Sequence, residues 1–387
     1  MKKKYLITRF IIILGIIVLS RINIGNNKDL AVYIDNELNS SIPTSNENLY
    51  VNKIDCDNNV NAYWDNDNWG LFISNFSKKT KCNLYFIHDT EKPYWQIEEV
   101  EKTSVLSTDI FTIKISGNDS LSKITSSFDT SSLSFYVNDT LQSPIKVELT
   151  KSEELNQKIT YSLKVHMVGG EGNLKLKINS NTLTDNETNQ NDEITLDTGI
   201  TLSKNPLKIL YYYNVEFNTK EEATYYQKLN KYYYNIDYTA SYSLEEVVQN
   251  GFDVVIFDDY YWSVPTIANE VFDSGINIVS IGNDSSISLS IIDTSVDNEG
   301  IGISTKQINN SLTNYLPNEL RGDNDGQRLI HFTNDATVLY KNTTNNNVYD
   351  SIGYLTKNGK TWFHAQLMSN SGAYIIQAIQ FVVNQLK

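Results

Sequence analysis

The chain has 387 residues, 40% of them hydrophobic, and a formal net charge of −14 at pH 7. This length predicts two or three domains rather than one. The acidic balance excludes nucleic acid as a partner, because binding to phosphates requires clustered Lys and Arg, and it disfavours adsorption to anionic lipid.

Residues 1–25 carry the pattern of an export signal. Lysines at positions 2 to 4 precede an uninterrupted apolar run over residues 10–19, which is typical of a secretory signal peptide. No good small-residue cleavage site follows the run. The segment is therefore either a cleaved signal peptide or an anchor in which residues 5–24 stay in the membrane. Both alternatives place the rest of the chain outside the cytoplasm, because the basic end remains inside.

Residues 28–90 are predicted to form a small β module, because short apolar segments alternate with turns rich in Asn and Asp. Cys56 and Cys82 are the chain's two cysteines, and outside the cytoplasm we expect them to form a disulfide. The bond would stabilise the module by roughly 3 kcal/mol. Residues 32–35, 64–69 and 81–86 resemble a module that recurs near the N-termini of surface proteins of low-GC Gram-positive bacteria.

Residues 100–203 are predicted to form an all-β domain, since four segments alternate apolar and polar residues. These segments are residues 110–115, 133–137, 159–165 and 174–178. Their spacing suits a β-sandwich of about 100 residues. Residues 170–178, 183–185, 189–191 and 196–200 resemble a bacterial Ig-like repeat of surface proteins. That resemblance implies a spacer or adhesive module.

One polar loop of this domain carries three acidic residues, Asp185, Glu187 and Asp192. Carboxylates so close in sequence offer the oxygen ligands that Ca²⁺ prefers. A solvated loop explains the same residues, and we favour that interpretation. We therefore expect no metal and no cofactor.

Residues 205–387 begin at Asn205-Pro206 and change to alternating strands and helices. Strands are expected at residues 207–213, 236–239, 252–257 and 276–281, and later at 337–340, 351–355 and 360–365. Helices are expected at residues 220–234, after Ser243 with a capping box, after Pro265, and at 371–386. This alternation predicts an α/β doubly wound parallel sheet of the flavodoxin-like kind. The expected fold is thus multidomain, with a β module, a sandwich and an α/β domain in chain order.

Open α/β sheets bind ligands beyond the carboxyl ends of their strands, which defines the candidate binding residues. Tyr and Trp rings stack on sugar rings and on partner side chains, although the same rings could pack against another domain. The acidic pair Asp258-Asp259 could instead stand at the start of a helix, where the helix dipole favours negative charge. The candidates are Asn214, Asp258, Asp259, Tyr260, Tyr261, Trp262, Gly282, Asn283 and Asp284.

Residues 253–257, 275–282 and 359–363 resemble class I glutamine amidotransferase-like domains, including the ThuA-like and trimerisation-domain branches. Active members place a Cys at the position that corresponds to Gly282 and a His after the last strand. Gly282 cannot attack a substrate, both cysteines lie in another domain, and His364 falls inside the predicted last strand. The resemblance therefore implies the fold of a pseudoenzyme.

Other nucleophiles could replace the missing Cys. Ser280 and Ser285 flank the Gly282 corner, and His331 or His364 could serve as a base. A catalytic set requires a geometry that sequence does not reveal, and we do not expect one. The tripeptide Arg321-Gly322-Asp323 is explained by loop composition.

The sequence as a whole predicts an extracytoplasmic protein, secreted or anchored at the cell surface. We expect its α/β domain to bind a glycan, a peptide or a surface protein without catalysis. The alternatives are a carbohydrate- or peptidoglycan-directed hydrolase that uses Asp258, Asp259 and Asp284, and a purely structural spacer.

Overall fold

The computed structural model describes residues 30–34, 37–38, 49–56, 61–65, 70–74, 80–213, 226–239, 241–259, 267–282, 290–297, 303–321, 328–344, 346–366 and 374–384. These residues form several domains that consist mostly of β-sheet. None of the described helices combines the length and the apolar character needed to cross a bilayer. The predicted signal segment, residues 1–25, lies outside the described residues.

In the part of the small N-terminal module that the structure describes, there are six strands. They are β1 (Leu30–Ile34), β2 (Glu37–Leu38), β3 (Leu49–Cys56), β4 (Asn61–Asp65), β5 (Gly70–Ser74) and β6 (Thr80–His88). Four of them pair in the order β2-β1-β6-β3, and β4 and β5 form a hairpin. Cys56 and Cys82 face each other across the antiparallel pair β3–β6 and are joined by a disulfide. The predicted disulfide is confirmed.

Replacing both cysteines, Cys56→Ser with Cys82→Ala, is expected to destabilise the module by about 3 kcal/mol. The two residues are 26 positions apart, so the disulfide removes loop entropy from the unfolded chain. Amide hydrogen exchange in β6 should become faster, whereas exchange in the sandwich strands should not change. Unaltered exchange in β6 would show that the bond is not what holds the module together.

The next eleven strands form the central domain. They are β7 (Tyr94–Val100), β8 (Ser104–Leu106), β9 (Ile110–Asn118), β10 (Ile124–Ser126), β11 (Leu133–Val137), β12 (Thr140–Gln142), β13 (Lys146–Glu154), β14 (Lys158–His166), β15 (Gly172–Ile178), β16 (Leu183–Asp185) and β17 (Ile194–Ser203).

Two main sheets face each other in this domain, with strand orders β12-β11-β15-β17-β8 and β13-β14-β9-β7. Alternate residues of the facing strands are fully buried between the sheets, for example Ile113, Leu163 and Leu176. Trp95 packs on Phe128 with ring centroids 4.7 Å apart. The arrangement fits an Ig-like β-sandwich, and the four predicted strands are confirmed.

The described residues of the C-terminal part form eleven strands and four α-helices. They are β18 (Asn205–Tyr213), α1 (Tyr226–Asn230), β19 (Tyr233–Thr239), α2 (Leu244–Asn250), β20 (Val254–Asp259), α3 (Ile267–Asp273), β21 (Asn277–Gly282), β22 (Ile292–Asp297), β23 (Ile303–Lys306), β24 (Glu319–Arg321), β25 (Arg328–Phe332), β26 (Thr337–Thr344), β27 (Asn347–Lys357), β28 (Lys360–Gln366) and α4 (Ile375–Val382).

Five strands of this part are parallel neighbours, in the order β19-β18-β20-β21-β28. Helices α1 and α4 pack on one face of them, where Ile209, Ile256 and Val279 point. Helices α2 and α3 pack on the other face, with Leu210 and Val255. The parallel strands are thus covered on both sides, which explains why they are almost entirely apolar.

The expected parallel pairing holds for these five strands, and the sheet continues beyond them through antiparallel strands. Beyond β28 the order is β27-β26-β23-β24, and β22 and β25 attach through β27. Asn358 and Gly359, both with positive φ, form the tight turn between β27 and β28. Such a turn allows only antiparallel neighbours.

The predicted helix over residues 220–234 is wrong in extent. The described helix α1 ends at Asn230, and Tyr233 already begins strand β19. Tyr233 is fully buried, and aromatic residues favour a half-buried pleated surface over a helix. By contrast, the predicted capping box of α2 is confirmed, since Ser243 and Glu246 exchange hydrogen bonds at the helix start.

The sandwich and the C-terminal part are joined by buried hydrogen bonds. A single residue, Lys204, separates β17 from β18. The Ser107 hydroxyl donates to the carbonyl of Tyr232 at 2.8 Å, and the Asn205 amide donates to the Thr108 hydroxyl at 2.7 Å. Because these groups are buried, breaking the contact would leave polar groups unsatisfied. The two parts are therefore held in a fixed orientation.

Candidate functional site

The carboxyl ends of the parallel strands lie side by side, as the sequence predicts. In the sheet register Tyr213 pairs with Asp258, Asp259 with Gly282, and Gly282 with Gln366. Two details differ from the prediction. Strand β20 continues past Phe257 to Asp259, and β21 continues past Ile281 to Gly282. Gly282 is therefore the last residue of strand β21.

Asp258 is the candidate residue whose surroundings are best defined. It is buried, and one carboxylate oxygen accepts a hydrogen bond from the hydroxyl of Tyr211 on the neighbouring strand. Tyr211 is fully buried and packs on Tyr238 with ring centroids 5.3 Å apart. The Tyr211 hydroxyl thus fixes the orientation of a carboxylate at the strand ends.

Sequence reasoning missed Tyr211, although it lies in a predicted strand. Tyr211 pairs with Ile256 in the register of β18 and β20, so its long side chain reaches the residue two positions later on the same face. The number of residues between two parallel strands does not fix their register, so sequence offered no signal for this contact.

The remaining candidate residues lie outside the described residues or are described only in their backbone. Asp259 belongs to β20 by its backbone. The others lie outside the described residues; they are Asn214, Tyr260, Tyr261, Trp262, Asn283 and Asp284, together with Ser285.

A serine and a histidine meet two residues before Gly282. Ser280 and His364 pair in the register of β21 and β28, and the serine Oγ lies 2.8 Å from Nδ1 of the imidazole. The same Oγ accepts a hydrogen bond from Trp362 Nε1 at 2.7 Å. These three side chains form what we call the Ser280 cluster.

The Ser280 cluster is closed to solvent, because Ser280, Trp362 and His364 are all 0% exposed. Burial lowers the pKa of His364 to about 3, so the imidazole is a very weak base at neutral pH. Its Nε2 has no hydrogen-bond partner among the described residues, whereas a catalytic triad holds that second nitrogen with a carboxylate. The cluster therefore has the features of core packing and lacks those of an activated nucleophile.

His331, the other base considered from sequence, lies elsewhere in the sheet. Its ring packs on Tyr349 with centroids 5.2 Å apart, and its Nδ1 lies 3.9 Å from a carboxylate oxygen of Asp350. In the register of β22 and β25 its strand neighbour is Thr294. It makes no described contact with a serine.

A shallow depression of about 500 Å³ lies on an outer face of the sandwich. Four of its charged side chains are paired, Lys114 with Glu99 at 2.6 Å and Lys158 with Glu98 at 3.0 Å. A hydrogen bond from Ser116, followed by one from Lys158, lowers the pKa of Glu98 to about 2. Glu153 also lines the depression, so its lining carries one more acidic than basic side chain.

No family model matches the chain, and no curated protein matches it in sequence. Among solved structures, the mmIFT52 N-terminal domain is 10% identical, with a TM-score of 0.33, over 46% of this chain and 96% of that one. A glutamine amidotransferase from Thermotoga maritima is 14% identical, with a TM-score of 0.25, over 42% and 75%. Dpr2 Ig1-Ig2 in complex with DIP-Theta Ig1-Ig3 is 16% identical, with a TM-score of 0.19, over 34% and 39%. Similarity at this level carries no argument about function.

Proposed function

We propose that this chain is an exported cell-surface protein whose C-terminal unit binds a glycan, a peptide or a protein partner without catalysing a reaction. The observation that carries the proposal is the sealed Ser280 cluster. Ser280 and His364 are completely buried and are neighbours on adjacent strands. Ser280 lies two residues before Gly282, the position at which an active class I glutamine amidotransferase-like domain would place its nucleophile.

The C-terminal unit is, in this proposal, an amidotransferase-like domain that has lost its reactive residue. The chain order of its parallel strands supports this assignment. Numbered along the chain, the five parallel strands pair in the order 2-1-3-4-5, which is the flavodoxin-like doubly wound order. In such sheets ligands bind beyond the carboxyl ends of the strands, where Asp258 and Gly282 lie.

The ligand class follows from the residues after β20. Tyr260, Tyr261 and Trp262 come directly after Asp259. Aromatic faces stack on sugar rings and on side chains, and an adjacent carboxylate accepts hydrogen bonds from hydroxyl or amide groups. This combination suits a glycan or a peptide.

The other domains serve, in this proposal, to display the binding unit away from the membrane. The buried contacts of Ser107 and Asn205 support a rigid connection between the sandwich and the C-terminal unit. The disulfide between Cys56 and Cys82 supports an oxidising compartment. Residues 1–25 would supply the export signal or the anchor.

Arrays of glycans and peptides probed with the full chain test this function. The wild type should retain a ligand, and the double variant Asp259→Asn with Trp262→Ala should lose binding by at least about tenfold while its melting curve is unchanged. The matched control is Asp237→Asn, because that carboxylate is exposed on the edge strand β19. Chemical turnover of the retained ligand would favour a hydrolase, and retention of no ligand by the wild type would favour a spacer.

A further inference from the structure

Three carboxylates from distant parts of the chain meet at one end of the sandwich. Asp89 follows β6, Asp119 follows β9, and Asp185 is the last residue of β16. They are 3%, 7% and 5% exposed, and one oxygen from each lies within 4.8 Å of the others. Three buried carboxylates at this separation repel one another strongly.

Neighbouring groups hold these carboxylates in place. Asp119 Oδ1 accepts from the backbone N–H groups of Leu121 and Ser122 at 2.8 and 2.7 Å, and the Ser122 hydroxyl donates to Asp89. Asn189 donates to both oxygens of Asp185, through its backbone N–H at 2.7 Å and its side-chain amide at 2.8 Å. The arrangement is therefore built from several segments.

One oxygen in this group has no donor. Asp119 Oδ2 is buried and has no hydrogen-bond partner among the described residues. None of the described Lys, Arg or His side chains forms an ion pair with Asp89, Asp119 or Asp185. A buried carboxylate without a counter-charge is costly. A cation between the three side chains would remove that cost.

We propose that Asp89, Asp119 and Asp185 bind a Ca²⁺ ion. Their ligand atoms are all oxygens, and neither His nor Cys belongs to the group, which disfavours zinc. Ca²⁺ accepts six to eight oxygens in irregular geometry and takes carboxylates in one- or two-oxygen contacts, whereas Mg²⁺ requires a near-ideal octahedron. Ligands from three unrelated segments therefore suit Ca²⁺ better.

This site differs from the loop site weighed from the sequence, with which it shares only Asp185. Asp192 is exposed and pairs with Lys92 at 2.7 Å, so it is not part of the group. Glu187 lies in the same loop as Asp185, and its Oε1 is buried without a hydrogen-bond partner in the described structure.

The position of Asp89 gives the ion a structural consequence. Asp89 is the first residue after β6, the strand that carries Cys82, and β7 of the sandwich begins five residues later at Tyr94. An ion bound by Asp89, Asp119 and Asp185 would fix the connection between the small module and the sandwich. Ca²⁺ would thus make the junction rigid.

Calorimetric titration of the full chain, freed of metal with EGTA, tests the proposal with CaCl₂ and MgCl₂ as the probes. We expect one Ca²⁺ to bind and to raise the midpoint of thermal unfolding. Asp119→Asn should weaken Ca²⁺ binding by at least about tenfold, and so should Asp185→Asn. The control Asp192→Asn should bind Ca²⁺ like the wild type.

Three results would overturn the site. They are a wild-type chain that takes up no Ca²⁺ at millimolar concentration, a response to Mg²⁺ alone, and an Asp119→Asn variant that binds Ca²⁺ undiminished. If the variants do not fold, amide hydrogen exchange in residues 86–93 of the full wild-type chain tests the site. Ca²⁺ should slow this exchange, and equal exchange in Ca²⁺ and EGTA would contradict a clamped junction.

Discussion

Replacing Trp362 with alanine is expected to lower the free energy of unfolding of the C-terminal unit by about 3–5 kcal/mol. Trp362 is completely buried, and its ring packs edge-on against Phe272 with centroids 5.4 Å apart. The variant would leave a large cavity. It would also remove the indole N–H that donates a hydrogen bond to the Ser280 hydroxyl. Denaturant unfolding followed by hydrogen exchange in β21 and β28 measures the loss.

Two further variants serve as references for the stability measured for Trp362→Ala. Trp362→Phe keeps most of the apolar volume and removes the donor, so it should lie between the wild type and Trp362→Ala. Val348→Ala, at a side chain that is 50% exposed, should change stability by no more than about 0.5 kcal/mol. If Trp362→Ala were as stable as the wild type, the Ser280 cluster would not be core packing.

The C-terminal unit is expected to lose stability on acidification below about pH 6.5, by an amount on the order of 4 kcal/mol when pH 3 is reached. Burial lowers the pKa of His364 from 6.5 to about 3. Between these values the unfolded chain binds a proton that the folded chain does not. The stability is therefore complete above pH 6.5 and falls as the pH falls.

The imidazole signals of His364 followed by NMR between pH 7.5 and 4 check the origin of this loss. His364 should remain neutral in the folded protein throughout the range. His166, which lies in β14 of the sandwich, adds a loss in the same direction to the stability of the whole chain, because burial also lowers its pKa. The variant His166→Gln separates the two histidines. A His364 that titrates near pH 6.5 in the folded protein would mean that the Ser280 cluster is open to water.

Elements with strong local signals were predictable from the sequence. The apolar run Val254–Phe257 in β20 is buried on both faces of the sheet, and such a run is distinctive without any alignment. The capping box at Ser243 and the pairing of the two cysteines are equally local or compositional signals. Asn358-Gly359 is likewise a local signal, because this dipeptide is typical of a two-residue hairpin turn between antiparallel strands.

The features that the sequence did not predict depend on contacts between residues far apart in the chain. Strand β23 alternates only weakly, with Ile303 half exposed and Ser304 buried, so it gave no clear period. Asp89, Asp119 and Asp185 are 30 and 66 residues apart along the chain and meet only in the folded domain. Ser280 and His364 were each considered from the sequence, but their contact and their complete burial follow from the register of β21 and β28.

The most direct test of whether the C-terminal unit lacks a catalytic serine is labelling of the native full chain with a fluorophosphonate. Mass spectrometry of the peptide that contains Ser280 then reads out the result. We expect no adduct on Ser280, because its hydroxyl is buried and hydrogen-bonded within the Ser280 cluster. A stoichiometric adduct on Ser280 that disappears in a His364→Gln variant would contradict the account and identify a serine hydrolase.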